Sequence, residues 1–195
     1  MSASDSVSVD GGVPETKKTR QATEKPSGSK IRIKVNSKWY DFEVDRDIRP
    51  SDTLAYLLRE KLALTGLKVA CDEGACGACT VLMDGEPMLS CMTLALEAEG
   101  HDILTLEGLE KDDPVVEAFA EQSEPGYGTA MQCGYCTPGF VMAAKGLLSE
   151  HSNPTLDQIK EGLSGNLCRC GCYPAIARAV RQAARKLNQE RSRDK

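Results

Sequence analysis

The sequence predicts an α+β fold in which a small strand-rich domain precedes an all-α domain of four helices. Three observations carry that expectation. Apolar residues alternate from Ile31 onward, helical periodicity takes over past Leu109, and eight of the nine cysteines fall into two sets with different spacing. The boundaries that follow are a disordered extension over residues 1–30, an α+β domain over 31–108, a helical domain over 109–188 and a flexible tail over 189–195.

Residues 1–30 are rich in Ser, Thr, Lys, Gly and Pro and cannot bury enough apolar surface to offset the entropy of ordering. Ile31, Ile33 and Val35 then point one way, and Phe42 and Val44 resume the alternation beyond the polar Asn36-Ser37-Lys38 turn, which reads as a β-hairpin. Pro50, Ser51 and Asp52 supply a helix start for the stripe Leu54, Leu57, Leu58 and Leu62, ending near Gly66. A cysteine loop runs from Cys71 to Cys79. Thr80-Val81-Leu82-Met83 follows as a strand with the turn Asp84-Gly85, and residues 87–95 and Ile103-Leu104-Thr105-Leu106 read as two more. Strands folded around one helix make the α+β domain.

In the second half Asp113-Pro114 opens a short helix through Val115, Val116 and Phe119, since proline suits the first helical position. Thr137-Pro138 repeats the device ahead of Phe140, Val141, Ala144, Leu147 and Leu148. Thr155 and Gln158 have capping-box spacing before Ile159 and Leu163. Tyr173, Ile176, Val180, Ala184 and Leu187 recur every three or four residues, with Pro174 near the start.

Composition narrows the function. A formal charge of −5 disfavours nucleic acid, although residues 178–195 gather a net +5 that reads as a solvated helix face and tail. No apolar stretch reaches the length of a membrane span and the first 30 residues lack a signal-peptide block, so the expected location is the cytoplasm. Cytosolic thiols stay reduced, so nine cysteines in such a chain point to metal binding or redox chemistry.

The first set, Cys71, Cys76, Cys79 and Cys91, lies within CDEGACGACTVLMDGEPMLSC and has the spacing of plant-type ferredoxins. A [2Fe–2S] core on four thiolates is formally −2, and −3 after one electron, so it needs N–H donors. Gly74 and Gly77 let the loop curl to present amides. Zinc fits this set less well, because its ribbons use paired two-residue gaps. The second set is Cys133 and Cys136 with Cys168 and Cys170, each pair just ahead of a predicted helix whose N-terminus favours negative charge. Taken alone, it suits zinc as well as iron. His101 and His151, isolated in polar loops, read as solvated. Met83, Met88, Met92, Met131 and Met142 read as packing residues.

CDEGACGACTVLMDG, QCGYCTPGF and GNLCRCGCYPAI, in that order, resemble the iron–sulfur subunit of the xanthine oxidase family of molybdenum hydroxylases, over about residues 31–188. The resemblance implies a plant-type ferredoxin-like β-grasp domain, then a four-helix bundle, each with one [2Fe–2S] cluster. It implies an electron-transfer subunit with no substrate chemistry of its own. Its partners would be a large molybdenum-binding subunit and a medium subunit with FAD, or another acceptor. Electrons would pass from molybdenum to the helical-domain cluster, then to the plant-type cluster and onward. Gln132 and Cys136 match positions that lie against the molybdopterin-type cofactor held by the partner. A free two-cluster ferredoxin and a zinc-stapled adaptor are the competing readings.

Two departures stand out. Asp72 occupies a position where the family usually has Gly, and Gly171-Cys172 replace a usual Thr-Gly. Cys172, the ninth cysteine, reads as a buried spectator, an alternative ligand or a redox-active thiol, the spectator being favoured because buried free cysteine packs as a small hydrophobe.

Overall fold

The alternation of Ile31, Ile33 and Val35 becomes strand β1 (Lys30–Val35), which buries all three side chains and pairs antiparallel with β2 (Lys38–Glu43). Asn36 and Ser37 turn this hairpin with φ of 49° and 66°, the left-handed pair that matches strand twist. The computed structural model describes residues 28–123 and 128–193, so the expected disordered extension falls almost wholly outside the described residues. Strand β1 also runs parallel to β5 (Asp102–Leu104), which is antiparallel to β3 (Thr80–Met83), and β3 pairs with β4 (Glu86–Leu89). The sheet order is β2-β1-β5-β3-β4.

Thr53 caps one α-helical turn, α1 (Leu54–Tyr56), which widens into a π-helical stretch at Leu57–Lys61. Leu54, Leu57 and Leu58 are fully buried with Ile31, Val81 and Ile103 in the first hydrophobic core. The helix stops short of Gly66. Ala63 takes a left-handed φ of 56°, and the Arg59 guanidinium donates to the carbonyls of Thr65 (3.3 Å) and Leu67 (2.7 Å), holding a turn in place of another helical one.

The strand expected over 87–95 is also shorter. Strand β4 ends at Leu89 because Ser90 donates its hydroxyl to the Cys79 carbonyl (2.7 Å) and Cys91 turns inward, after which Ala95–Ala98 form a 3-10 turn.

The helical half contains α2 (Pro114–Glu121), α3 (Thr137–Glu150), α4 (Leu156–Gly162) and α5 (Tyr173–Arg193). Asp113 caps α2 by accepting from the Val115 amide and also ion-pairs with Lys145 of α3. Thr155 and Gln158 form the expected capping box. Helix α5 continues to Arg193, so the stretch expected to be a tail is helical as far as that residue. Val115, Phe140, Ile176 and Val180 lie at the centre of a second core, where a buried ring such as Phe140 contributes roughly 1.5–3 kcal/mol.

Helix α3 joins the two cores through small residues. A Cβ at Gly146 would lie 2.4 Å from Pro87 of β4, and one at Gly139 would lie 2.2 Å from the Gly77 carbonyl oxygen. Met83 and Met142 are buried and Met88 half-buried, whereas Met92 and Met131 are 61% and 45% exposed, which corrects their reading as packing residues. His101 contacts Asp84 through Nδ1. Among the described residues no helix is long and apolar enough to cross a membrane.

Candidate metal centres

The loop ahead of β3 holds the first set. Asp72, Gly74 and Gly77 all have positive φ (57°, 76° and 68°), which swings successive amides to one side of the chain. The amides of Glu73, Ala75 and Cys76 donate to Cys71 Sγ, and that of Gly74 donates to Cys91 Sγ. Cys71 is in hydrogen-bond contact with Cys76, and Cys79 with Cys91. Asp72 therefore sustains a backbone conformation that glycine adopts more readily.

The second set assembles from two places 31 residues apart. Cys133 contacts Cys170, and Cys136 contacts Cys168. The Tyr135 amide donates to Cys133, and the amides of Cys170 and Cys172 donate to Cys168, the latter at 3.4 Å. Tyr173 accepts the Cys168 amide on its hydroxyl (2.8 Å), fixing that loop to the start of α5. Cys136 directly precedes α3 and Cys172 directly precedes α5, so two helix N-termini adjoin this set.

Ionisation follows the pairing. Amide donation from Glu73, helped by Cys76, draws the Cys71 thiol down to about 7, while burial and Cys79 push Cys91 up to about 12. The Tyr135 amide and Cys170 lower Cys133, and contact with Cys133 raises Cys170. Burial opposes ionisation of Cys168, yet the Cys172 amide, Cys136 and the Cys170 amide together carry it below its ordinary value. Burial and Cys168 push Cys136 up to about 12. One thiol of a pair yields its proton more easily than the other, because two adjacent thiolates repel unless a cation stands between them.

This donor set fits a binuclear core. Side-chain contacts join Cys71 to Cys76 and Cys79 to Cys91 in the first set, and Cys133 to Cys170 and Cys136 to Cys168 in the second, where Cys168 also meets Cys172. A zinc ion needs four ligands about one point, whereas two irons take two thiolates each. Thr137, next to Cys136, has a buried Oγ1 with no hydrogen-bond partner among the described residues. Buried hydroxyls are normally bonded, and an anionic sulfur core would provide the acceptor.

The two sets are also stitched to each other. The Leu167 amide donates to the Cys76 carbonyl (2.9 Å), so one hydrogen bond separates the residue before Cys168 from a member of the first set. Buried Asn166 donates to the Gly77 carbonyl (2.9 Å) and to Thr80 Oγ1 (3.3 Å), and Tyr135 donates its hydroxyl to the Val69 carbonyl (2.9 Å). Replacing Asn166 with alanine should cost about 0.5–1.5 kcal/mol, the net worth of a hydrogen bond, because the Gly77 carbonyl keeps the Thr80 amide (3.2 Å) and hydroxyl (2.7 Å) as donors and loses only the one that ties it to the second set. Chemical denaturation measures this, and an unchanged midpoint would show that the Thr80 donors alone hold the carbonyl. Asn166, Leu167, Tyr173 and Thr137 carry no sequence signal of their own as site residues, although Asn166, Leu167 and Tyr173 lie inside GNLCRCGCYPAI.

Gln132 and Cys136 line different depressions beside the second set. Exposed Gln132 lines a depression of about 240 Å³ with Cys170, Cys172 and Arg178. Cys136 lines a cavity of about 390 Å³ between the two sets, with Cys76, Cys133, Cys168, Leu167 and Tyr173 around it.

A strand-rich half and a four-helix half, each carrying four paired thiols, define a two-domain iron–sulfur protein. Two family models agree, a 2Fe-2S iron-sulfur cluster binding domain over residues 19–119 and a [2Fe-2S] binding domain over residues 105–181. The chain is 41% identical to the nicotine 6-hydroxylase small subunit of Paenarthrobacter nicotinovorans, covering 82% of this chain and 92% of that protein. It is 44% identical to the nicotinate dehydrogenase small FeS subunit of Eubacterium barkeri, over 70% of its own length and 85% of that protein. Among solved structures, a chain of quinoline 2-oxidoreductase from Pseudomonas putida 86 matches with a TM-score of 0.70 and 40% identity, over 81% of this chain and 96% of that one. The chain belongs to the iron–sulfur small subunits of the xanthine oxidase family of molybdenum hydroxylases, and is thus a subunit of an oxidoreductase.

Proposed function

We propose that this chain is the electron-transfer subunit of a multi-subunit molybdenum hydroxylase of the cytoplasm. It would hold one [2Fe–2S] cluster on Cys71, Cys76, Cys79 and Cys91 and the other on Cys133, Cys136, Cys168 and Cys170. Its task is to relay electrons between the molybdenum–pterin centre of a large subunit and FAD on a further subunit, or another acceptor. The observation that carries the reading is the pair of four-thiol sets linked by the Leu167-to-Cys76 hydrogen bond.

When bound, each cluster supplies a one-electron acceptor and donor. The chain's own residues tune and shield it. Amides on Cys71, Cys91, Cys133 and Cys168 stabilise negative charge on sulfur, and burial of Cys79, Cys91 and Cys168 keeps water away. Cys133 and Cys170 are exposed, so the second set has an edge open to a partner. The depression at Gln132 lies beside Cys170 on that edge, which supports a pterin contact for Gln132; the contact carried over for Cys136 would come from the cavity side. The hydrophobic cores support a boundary between Ile103, in the first core, and Leu106, which packs against the second, a few residues ahead of the expected 108–109.

Purification from the native host tests the reading. A stable complex containing molybdenum, with about four irons and four acid-labile sulfides per copy of this chain, is the expected result. A monomer carrying clusters would make it a free ferredoxin. About two zinc ions and no iron would make it a stapled adaptor.

A further inference from the structure

We propose that Cys172 is a positioning residue for the second cluster, donating its thiol hydrogen to Cys168 Sγ and so raising the potential at which that cluster accepts an electron. The inference rests on the ligand assignment made under Proposed function.

Residue 172 approaches Cys168 twice. Its backbone N–H donates to Cys168 Sγ at 3.4 Å, and its side chain is in hydrogen-bond contact with the same sulfur. The left-handed turn at Gly171 (φ 76°) and the Gly171 amide bond to the Cys168 carbonyl (3.3 Å) fold the chain back to make both contacts. Behind Cys172, the Gln132 amide donates to its sulfur. The order is therefore Gln132 N–H to Cys172 sulfur, then Cys172 S–H to Cys168 sulfur, a chain whose donors all point toward the ligand and polarise one another.

Cys172 is 6% exposed, so water does not replace its hydrogen bond. Under the ligand assignment it is also surplus to coordination, since Cys133, Cys136, Cys168 and Cys170 already give the core four thiolates, and a ligating Cys168 thiolate can only accept from it. One electron takes the core from −2 to −3 and increases the charge on each thiolate, so a donor aimed at Cys168 stabilises the reduced state more than the oxidised one.

The test is a reductive titration of the intact complex followed by electron paramagnetic resonance, comparing wild type with Cys172→Ala and Cys172→Ser. Alanine removes the side-chain donor and keeps the backbone one; serine restores an O–H donor. In Cys172→Ala the reduction equilibrium of one cluster should fall by up to about tenfold, a shift of about 59 mV for one electron, with the other cluster unmoved. Cys172→Ser should return the potential toward wild type. An unshifted midpoint in Cys172→Ala, equal shifts of both clusters, or no recovery with serine would overturn the proposal. Loss of a signal in Cys172→Ala would also overturn it, by making Cys172 a ligand. Absence of iron from the wild-type complex would be a separate result, removing the ligand assignment and the inference together.

Discussion

Serine in place of Cys76 should erase one of two reduced-cluster signals in electron paramagnetic resonance, and serine in place of Cys168 should erase the other. A serine hydroxyl does not ionise as a thiol does, so one iron of the affected core loses a ligand. Iron content should fall from about four to about two per chain in each variant. The two losses should be independent, because the link between the sets uses the backbone carbonyl of residue 76 and the amide of Leu167, which neither substitution removes. The consequences for stability should differ. Cys168 is buried against Cys136 and Cys172, whereas Cys76 is partly exposed, so the helical half should lose more of its resistance to unfolding. Retention of both signals in either variant would refute the ligand assignment.

Valine at position 139 should be the most damaging change outside the cysteines. A Cβ there would lie 2.2 Å from the Gly77 carbonyl oxygen and 3.1 Å from the Ala78 Cα, both backbone atoms that no rotamer change can move aside. Either α3 shifts away from the cysteine loop or the loop gives way, and Ala78 adjoins Cys79. Overpacking of this kind costs about 1–3 kcal/mol and sometimes more. At roughly 2–4 °C per kcal/mol for a chain of this size, the melting temperature should drop by about 2–12 °C. Gly165→Ala is the control, since a Cβ there meets nothing within 4 Å, and its melting point should stay at the wild-type value. Equal melting points for Gly139→Val and Gly165→Ala would show that α3 does not press on the loop.

Local signals in the sequence foretell the local structure. Asp113-Pro114 and the Thr155–Gln158 box start helices because a cap is a contact between residues two or three apart. The alternation of Ile31, Ile33 and Val35 marks a strand with one buried face. Sequence and structure part where a side chain from elsewhere decides the backbone. The stripe through Leu62 suggests a longer helix, but Arg59 captures the carbonyls of Thr65 and Leu67 and ends it. Residues 87–95 have strand character, but Cys91 must turn in to meet Cys79. The cysteine sets are legible as spacing, and their internal pairing is not, since Cys133 with Cys170 and Cys136 with Cys168 depend on how two helices approach. Cys172 reads as a spectator in the sequence for the same reason: nothing in its neighbours along the chain reveals that Gly171 folds it onto Cys168.

The seam formed by Gly139, Asn166 and Leu167 bears on how the protein matures. The carbonyls of Cys76 and Gly77, in the middle of the first cysteine loop, accept from Leu167 and Asn166 about 90 residues further along, Gly77 in addition to its own Thr80. A ribosome delivering the chain N-terminus first therefore exposes the first loop long before its supports exist. Until the Asn166 segment emerges, that loop has its own amides but lacks the clamp that holds its outer turn. A nascent chain that stops short of Asn166 therefore holds its first cysteine loop with local contacts alone, without the two cross-links that Asn166 and Leu167 bring.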